Sequence, residues 1–368
     1  MHTDQDQRVV MTLDAGGTNF VFSAMQANKE VVAPITLPSN GHDLTQCLAT
    51  IVDGFTQVRN VLQQPPVAIS FAFPGPADYP AGIIGDLANL KAFRGGVALG
   101  PMLREKFGLP VFINNDGDLF AYGEAIAGLL PEVNGRLAAH GSAKRYNNLF
   151  GITLGTGFGG GIVRRGELFI GDNAAAGEIW VVRNKLHNRS FAEEGVSIRA
   201  VQRVYLDHAK VRHPQTPTPE EIYHFACGWE GGDQAAAVRA FAELGETVGD
   251  ALANAISLID GLVVIGGGLA GAAALFLPKV VEEMNGAIET LQGARVPRME
   301  MQVFNLEDEQ QLAAFLQGQQ REIRVPGTDK TVIYDGFKRI GIGLSRLGTS
   351  RAVAVGAYAF ALHALPCG

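Results

Sequence analysis

The chain has 368 residues, 47% of them hydrophobic, with 46 glycines and a formal net charge of −7. That length and apolar content suit two buried cores rather than one, and an acidic balance without any run of Lys or Arg leaves nothing to grip a nucleic-acid backbone or an anionic membrane. Cys47, Cys227 and Cys367 stand too far apart for a CxxC metal knuckle or a disulfide framework, and neither the polar start MHTDQDQR nor any apolar run has the pattern of a signal or a membrane span, so a cytoplasmic protein with no nucleic-acid or membrane partner is expected.

Val9 to Leu13 forms an apolar run ending at Asp14. The glycines of AGGTN then turn the chain before Phe20 to Met25 resumes the pattern. Gly16 and Gly17 can present their N–H groups inward and Thr18 adds a hydroxyl, so this hairpin bend is competent to hold phosphate oxygens; an ordinary turn has the same composition. Leu44, Leu48, Ile51, Phe55, Val58 and Leu62 recur at helical spacing until Pro65 and Pro66. A strand from Val67 to Phe73 follows and ends in Pro74-Gly75-Pro76, a rigid turn that brings backbone close to a ligand or simply reverses the chain. Asn89 is a polar residue in an otherwise apolar stretch. Met102 to Phe107 is predicted as a short helix.

Val111, Phe112 and Ile113 predict a buried strand that delivers Asn114, Asn115 and Asp116 to a turn, with a helix from Asp118 to Leu130 capped by Asp118. Asp116 thereby lies where open α/β sheets put their chemistry, outside the carboxyl end of a strand. A carboxylate there can take the proton of a substrate hydroxyl; a helix cap is the alternative use. Pro131 to Asn148 is predicted as an exposed excursion. In Leu149 to Arg165 the GTGFGG segment satisfies GxGxxG, yet it leads into a strand and a second hairpin rather than a helix, so it is not a dinucleotide fingerprint. It repeats the strand, glycine bend, strand plan of Val9 to Met25, with Thr156 and Gly157 in the bend. Two such halves suggest a clamp around a nucleotide. Glu178, Glu193 and Glu194 are suited to sugar hydroxyls or to a solvated face, and His187 has no ligand partners at metal spacing. A long helix over Ala236 to Asp260 feeds the strand Leu262 to Ile265 and then Gly266, Gly267 and Gly268, whose bare backbone suits a planar base or close helix packing. Ile323 to Val325 and Val332 to Tyr334 predict a hairpin, and Arg351 to Leu365 a closing helix.

In order, LDAGGTN, FPGPAD, NL at Asn89, NNDGDLFAYGE, GITLGTGFGGGIV, AGEI and VIGGGLAG resemble the motifs of the ROK family of sugar kinases and sugar-responsive repressors, from about residue 8 to about residue 290. The resemblance implies an actin-like, hexokinase-like two-domain α/β fold, with ribonuclease H-like duplicated mixed sheets flanked by helices. It implies domains of 1–117 plus 351–368 and of 118–350, the latter with an insertion around 296–350. It further implies an ATP-dependent sugar kinase with Asp116 as general base, and Gly75, Asn89, Asn115, Glu178 and Glu193 on the sugar. Asp14 would position Mg²⁺ through water, Gly16, Gly17, Thr18, Asn19, Thr156 and Gly157 would contact phosphates, and Gly266 to Gly268 the adenine; a homodimer is the assembly it implies. Two stretches depart from the family pattern. Val181 stands where the family has the histidine of GEIGH, and SFAEEGVS replaces the cysteine zinc loop, so no zinc is expected. A sugar-binding protein without catalysis, or another ATPase of the same fold, remains open; the repressor branch would need a helix-turn-helix, and only a short polar stretch precedes Val9.

Overall fold

The structure, a computed structural model, describes residues 3–85 and 93–365; Asn89 and Cys367 lie outside the described residues. The chain divides into two compact units, one of 1–128, 161–177 and 346–368 and the other of 129–160 and 178–345. The sequence reading had set the boundary at 117/118; here the helix that follows Asn115 goes with the first unit.

In the first unit β1 (Val9–Ala15) and β2 (Asn19–Gln26) form the expected hairpin, followed by β3 (Lys29–Glu30), β4 (Ile35–Pro38) and helix α1 (Leu44–Val61). The side chain of Asp43 caps α1 by accepting from Gln46 N. After β5 (Pro66–Ala72) come the short pair β6 (Ala77–Asp78) and β7 (Ile83–Ile84), helix α2 (Leu99–Phe107), β8 (Val111–Asn114) and helix α3 (Asp116–Ala127). The sheet runs β3-β2-β1-β5-β8, with β4 beside β2 and with β1, β5 and β8 mutually parallel. One sheet face packs Met11, Phe22, Phe55 and Phe71 into a core against α1, and the other face carries Val10 and Met25 against Tyr358 and Leu362 of the closing helix. Alternation along β1 and β2 is what supplies both faces.

Asp118 does not cap α3. Asn115 is the cap, its side chain accepting from Gly117 N, and Asp118 is buried one turn further in. The predicted excursion after Pro131 is also corrected, because helix α4 (Leu129–Ala139) buries Leu130, Val133 and Leu137. Pro131 is tolerated there because the first turn of a helix has no partner for its missing N–H.

The second unit holds β9 (Leu149–Leu154) and the start of β10 (Phe158–Arg164); β10 continues into the first unit, where it pairs antiparallel with β11 (Glu167–Phe169). Helices α5 (Glu193–Val196), α6 (Ile198–His208), α7 (Pro219–Cys227) and α8 (Gln234–Ile259) precede β12 (Leu262–Gly266) and α9 (Ala273–Met284). The small hairpin β13 (Ala287–Glu289) and β14 (Arg295–Pro297) leads to β15 (Gln302–Asn305), α10 (Glu309–Gln317), the hairpin β16 (Gln320–Arg324) and β17 (Thr331–Asp335), and β18 (Arg339–Leu344). The sheet order is β11-β10-β9-β12-β18-β15, in which β9, β12, β18 and β15 are parallel. So 296–350 is not all insertion: it contributes the inner strand β18 and the edge strand β15 to this sheet. Helix α11 (Thr349–Ala364) closes the chain in the first unit.

Candidate functional site

Three parallel strands of the first unit end side by side. Asp14 lies near the end of β1, Gly75 follows β5, and Asn115 and Asp116 follow β8. Gly117 N donates to Asn115 Oδ1 at 2.8 Å and to Asp116 Oδ1 at 2.9 Å, so the first free N–H of α3 fixes both side chains. Asn115 Nδ2 points to Tyr79 Oη at 3.4 Å, and that hydroxyl donates to Phe73 O at 3.0 Å. A Cβ at Gly75 would lie 3.0 Å from the same hydroxyl. Tyr79 therefore props the Gly75 turn and the Asn115 amide together. The sequence reading missed it, because one tyrosine after a Pro-Gly-Pro turn looks like any core aromatic.

Burial by surrounding protein raises the Asp116 carboxyl above its ordinary value; N–H groups of Gly117 and of Asp116 itself pull it down, and the charge of Asp14 adds to the rise. Asp116 keeps solvent-exposed surface, so the group is crowded but reachable. In the first glycine loop Ser39 Oγ donates to Gly17 O at 2.8 Å and Ser39 N to Thr18 O at 2.9 Å. A Cβ at Gly16 would meet Asn19 O at 2.8 Å, whereas Gly17 faces open space. Asp14, Gly16, Gly17, Thr18 and Asn19 are all solvent-exposed, which leaves this loop free to meet a ligand.

The second unit repeats the arrangement. Gly155 N donates to Gly157 O, closing the bend that carries the exposed Thr156. Glu193 Oε2 accepts from Phe158 N at 3.0 Å while its Oε1 accepts from Arg199 at 2.9 Å, and Ile198 N donates to Gly155 O at 2.8 Å. One carboxylate oxygen of Glu193 thus holds the bend, and the other is tied to Arg199. After β12, Gly267 takes a left-handed φ of 89° and lies so close to Leu154 that a Cβ would be 2.3 Å from its carbonyl, whereas Gly268 faces open space. Thr156 and Gly266 to Gly268 consequently lie at the same end of the neighbouring parallel strands β9 and β12.

Glu178 is exposed and precedes the 3-10 turn Ile179–Val181. Its Oε2 accepts from Trp180 Nε1, and Trp180 packs edge-on against Phe191 with ring centroids 5.6 Å apart. Val181 is 51% exposed and carries no polar atom to the position where the family has histidine. The loop that follows is closed by backbone pairing of Arg183 with Phe191, and Asn184 Oδ1 accepts from the N–H groups of Leu186 and His187. Among the described residues no cluster of three or more His, Cys, Asp or Glu side chains could hold a metal ion.

Parallel strands ending in glycine turns, duplicated in two units, define the actin-like, hexokinase-like fold. The ROK family sequence profile matches residues 10–312, and the chain belongs to the ROK family. It is similar to the crystallised glucokinase of Parabacteroides distasonis, with 55% identity, a TM-score of 0.91, and coverage of 99% of this chain and 100% of that one. A glucokinase of Halalkalibacterium halodurans is 31% identical over 171 residues, 45% of this chain and 47% of that protein. An N-acetyl-D-glucosamine kinase of Vibrio cholerae is 31% identical over 170 residues, 46% of this chain and 51% of that protein. The matched stretch spans about half the length of the last two proteins.

Proposed function

We propose that the protein is an ATP-dependent sugar kinase that transfers the γ-phosphoryl group of ATP to a hydroxyl of a hexose or N-acetylhexosamine, with Asp116 as general base. The observation that carries this is the pair Asn115 and Asp116: an oriented amide beside a crowded, reachable carboxylate with a raised pKa, at the end of a parallel strand beside Asp14. The names of the relatives, glucokinase and N-acetyl-D-glucosamine kinase, support the same class.

The donor and its metal fit the residues present. Gly17, Gly155 and Gly268 face open space that a Cβ would fill, as backbone that cradles phosphate or a base requires, and Asp14 offers an exposed carboxylate. Magnesium, when bound, would neutralise charge on the phosphate oxygens. Gly16 to Asn19, Thr156 and Gly157 would hold the phosphates, and Gly266 to Gly268 the base. Asp116 removes the proton as the hydroxyl oxygen bonds to the γ-phosphorus and the bond to the leaving ADP oxygen breaks. Asn115, with Gly75, Asn89 and Glu178, holds the sugar in line, while Glu193 acts through the glycine bend it anchors. Such positioning supplies most of the acceleration in phosphoryl transfer, and base help about 10²- to 10⁴-fold.

The test is a panel of glucose, N-acetylglucosamine, N-acetylmannosamine and fructose with Mg-ATP or polyphosphate, following ADP release and identifying the phosphorylated product. Turnover with at least one sugar is expected. Tight sugar binding without turnover on any of them would instead make the protein a non-catalytic sugar binder.

A further inference from the structure

The hairpin of β16 and β17 forms a two-stranded sheet of its own and lies beyond residue 312, where the match to the family profile ends. Ile323 on β16 is exposed, and so are Val332, Ile333 and Tyr334 on β17, at 52%, 63% and 46%. A two-stranded ribbon is marginal in water unless a further strand or a packed face supports it. Apolar residues left bare along this one call for such support.

Other strand edges of the same unit are closed. β15 ends the larger sheet, and its outward groups are taken: Asn285 Nδ2 donates to Val303 O at 2.8 Å, Val303 N donates to Asn285 Oδ1 at 2.9 Å, and Asn305 N donates to Gln311 Oε1 at 2.9 Å. Side-chain amides thus stand where another strand would pair. In the hairpin Val325 N donates to Lys330 O, and the register sets Ile323 opposite Val332 and Arg321 opposite Tyr334. Alternation of the ladder then turns the backbone groups of Gln320, Glu322 and Arg324 outward on β16, and those of Thr331, Ile333 and Asp335 outward on β17. The β16 edge is guarded by charge, since two copies meeting there about Glu322 would set like charges opposite each other. The β17 edge has no such guard. Among the described residues its outward N–H groups have no backbone partner, and its one acidic side chain, Asp335, is committed to the buried Arg339 at 2.7 Å.

We propose that β17 pairs antiparallel with β17 of a second copy of this chain, about a two-fold axis at Ile333. The strand is self-complementary in that register. Ile333 faces Ile333 of the second copy and Thr331 faces Asp335, each pair exchanging backbone hydrogen bonds. Val332 lies opposite Tyr334 at the closer, non-bonded positions, a β-branched and aromatic pair that the symmetry repeats. Charge agrees with this partner. The chain carries a net −7, but within the hairpin Arg321, Arg324 and Lys330 offset Glu322, Asp329 and Asp335, so two acidic molecules meet through a neutral ribbon. The pairing is separate from any homodimer built on the stretch matched to the family, and it stands whether or not the protein phosphorylates sugars.

The experiment measures the mass of the full-length protein in solution by sedimentation equilibrium at low salt, for wild type, Ile333→Lys, Ile333→Glu and an equimolar mixture of the two variants. Position 333 is exposed, so neither variant threatens the fold. Each variant alone should have half the mass of wild type, because like charges face each other across the axis. The mixture, in which opposite charges face, should recover mass toward that of wild type. Wild type with the mass of a single copy, variants as heavy as wild type, or a mixture no heavier than the separate variants overturns the proposal.

Discussion

Asp116 combines two demands that conflict. As the proposed base it must be ionised, yet burial disfavours its charge, and Asp14 disfavours it further. The ionised form is lost as pH falls through the raised value, so the acid limb of kcat/KM, which reports the free enzyme, should lie above the pH at which an ordinary aspartate titrates. In Asp116→Asn, turnover should drop by about 10²- to 10⁴-fold while sugar affinity by calorimetry changes much less. Near-normal turnover would remove Asp116 from the role. The same shift has a signature in stability. A carboxyl with a raised folded-state pKa lowers stability as pH climbs from the unfolded value through the folded one. Asp116→Asn escapes that loss and keeps an oxygen for Gly117 N, so its melting temperature should exceed wild type at neutral pH and converge with it near about pH 4. Tyr79 is tested by Tyr79→Phe, which frees the Asn115 amide and strands Phe73 O. KM for the sugar should rise several-fold with a smaller change in kcat, and stability should fall by about 1 to 3 kcal/mol; an unchanged KM would leave Tyr79 a purely structural support.

Helix α3, which carries Asp116, is held by backbone contacts. A Cβ at Gly123 would come within 1.9 Å of Ala352 O, one at Gly356 within 1.9 Å of Leu119 O, and one at Gly161 within 2.4 Å of Gly117 O. Glu124, fully buried, accepts from Arg346 N and Leu347 N and so ties α3 to the approach of α11. Helix propensity alone would favour alanine over glycine at position 356 by about 1 kcal/mol. Overpacking reverses the sign: Gly356→Ala should destabilise by about 1 to 3 kcal/mol, read as a lower melting temperature, whereas Gly135→Ala, with open space around it, should not. The sequence made α1, the glycine hairpins, α8 and α11 legible through strong apolar periodicity. It misplaced the start of α3 because Asn115 and Asp118 are both capping residues, and only the path of the chain chooses between them. It missed β15 and β18 because they are short and β18 is broken by glycines. Those glycines make room for neighbours: a Cβ at Gly341 would lie 2.6 Å from Leu306, and one at Gly343 2.7 Å from Leu129. The site residues were legible only as an ordered set of motifs, and Tyr79 and Ser39, which hold them, carry no local signal at all.

At the scale of the whole molecule, the segment where the family pattern has a zinc loop is a hydrogen-bonded loop in this chain. The loop after Val181 is closed by its own backbone and by Asn184, so purified protein should carry no stoichiometric zinc by elemental analysis, and a chelator should leave its melting temperature unchanged; one zinc per chain would reveal a site built from other residues. No helix among the described residues is long and apolar enough to cross a membrane. The glycine contacts beneath α3 also reach beyond stability. Interlocked side chains let a lineage wander, since a change on one side can be answered by a new rotamer opposite, but touching backbones have no such freedom. Gly123, Gly161 and Gly356 should therefore behave, in a growth selection over all single substitutions, as positions where even alanine is lost, although none of them is assigned a contact with substrate. Second-site suppressors of such alleles should be rare, because no neighbouring side chain can be trimmed to give the space back.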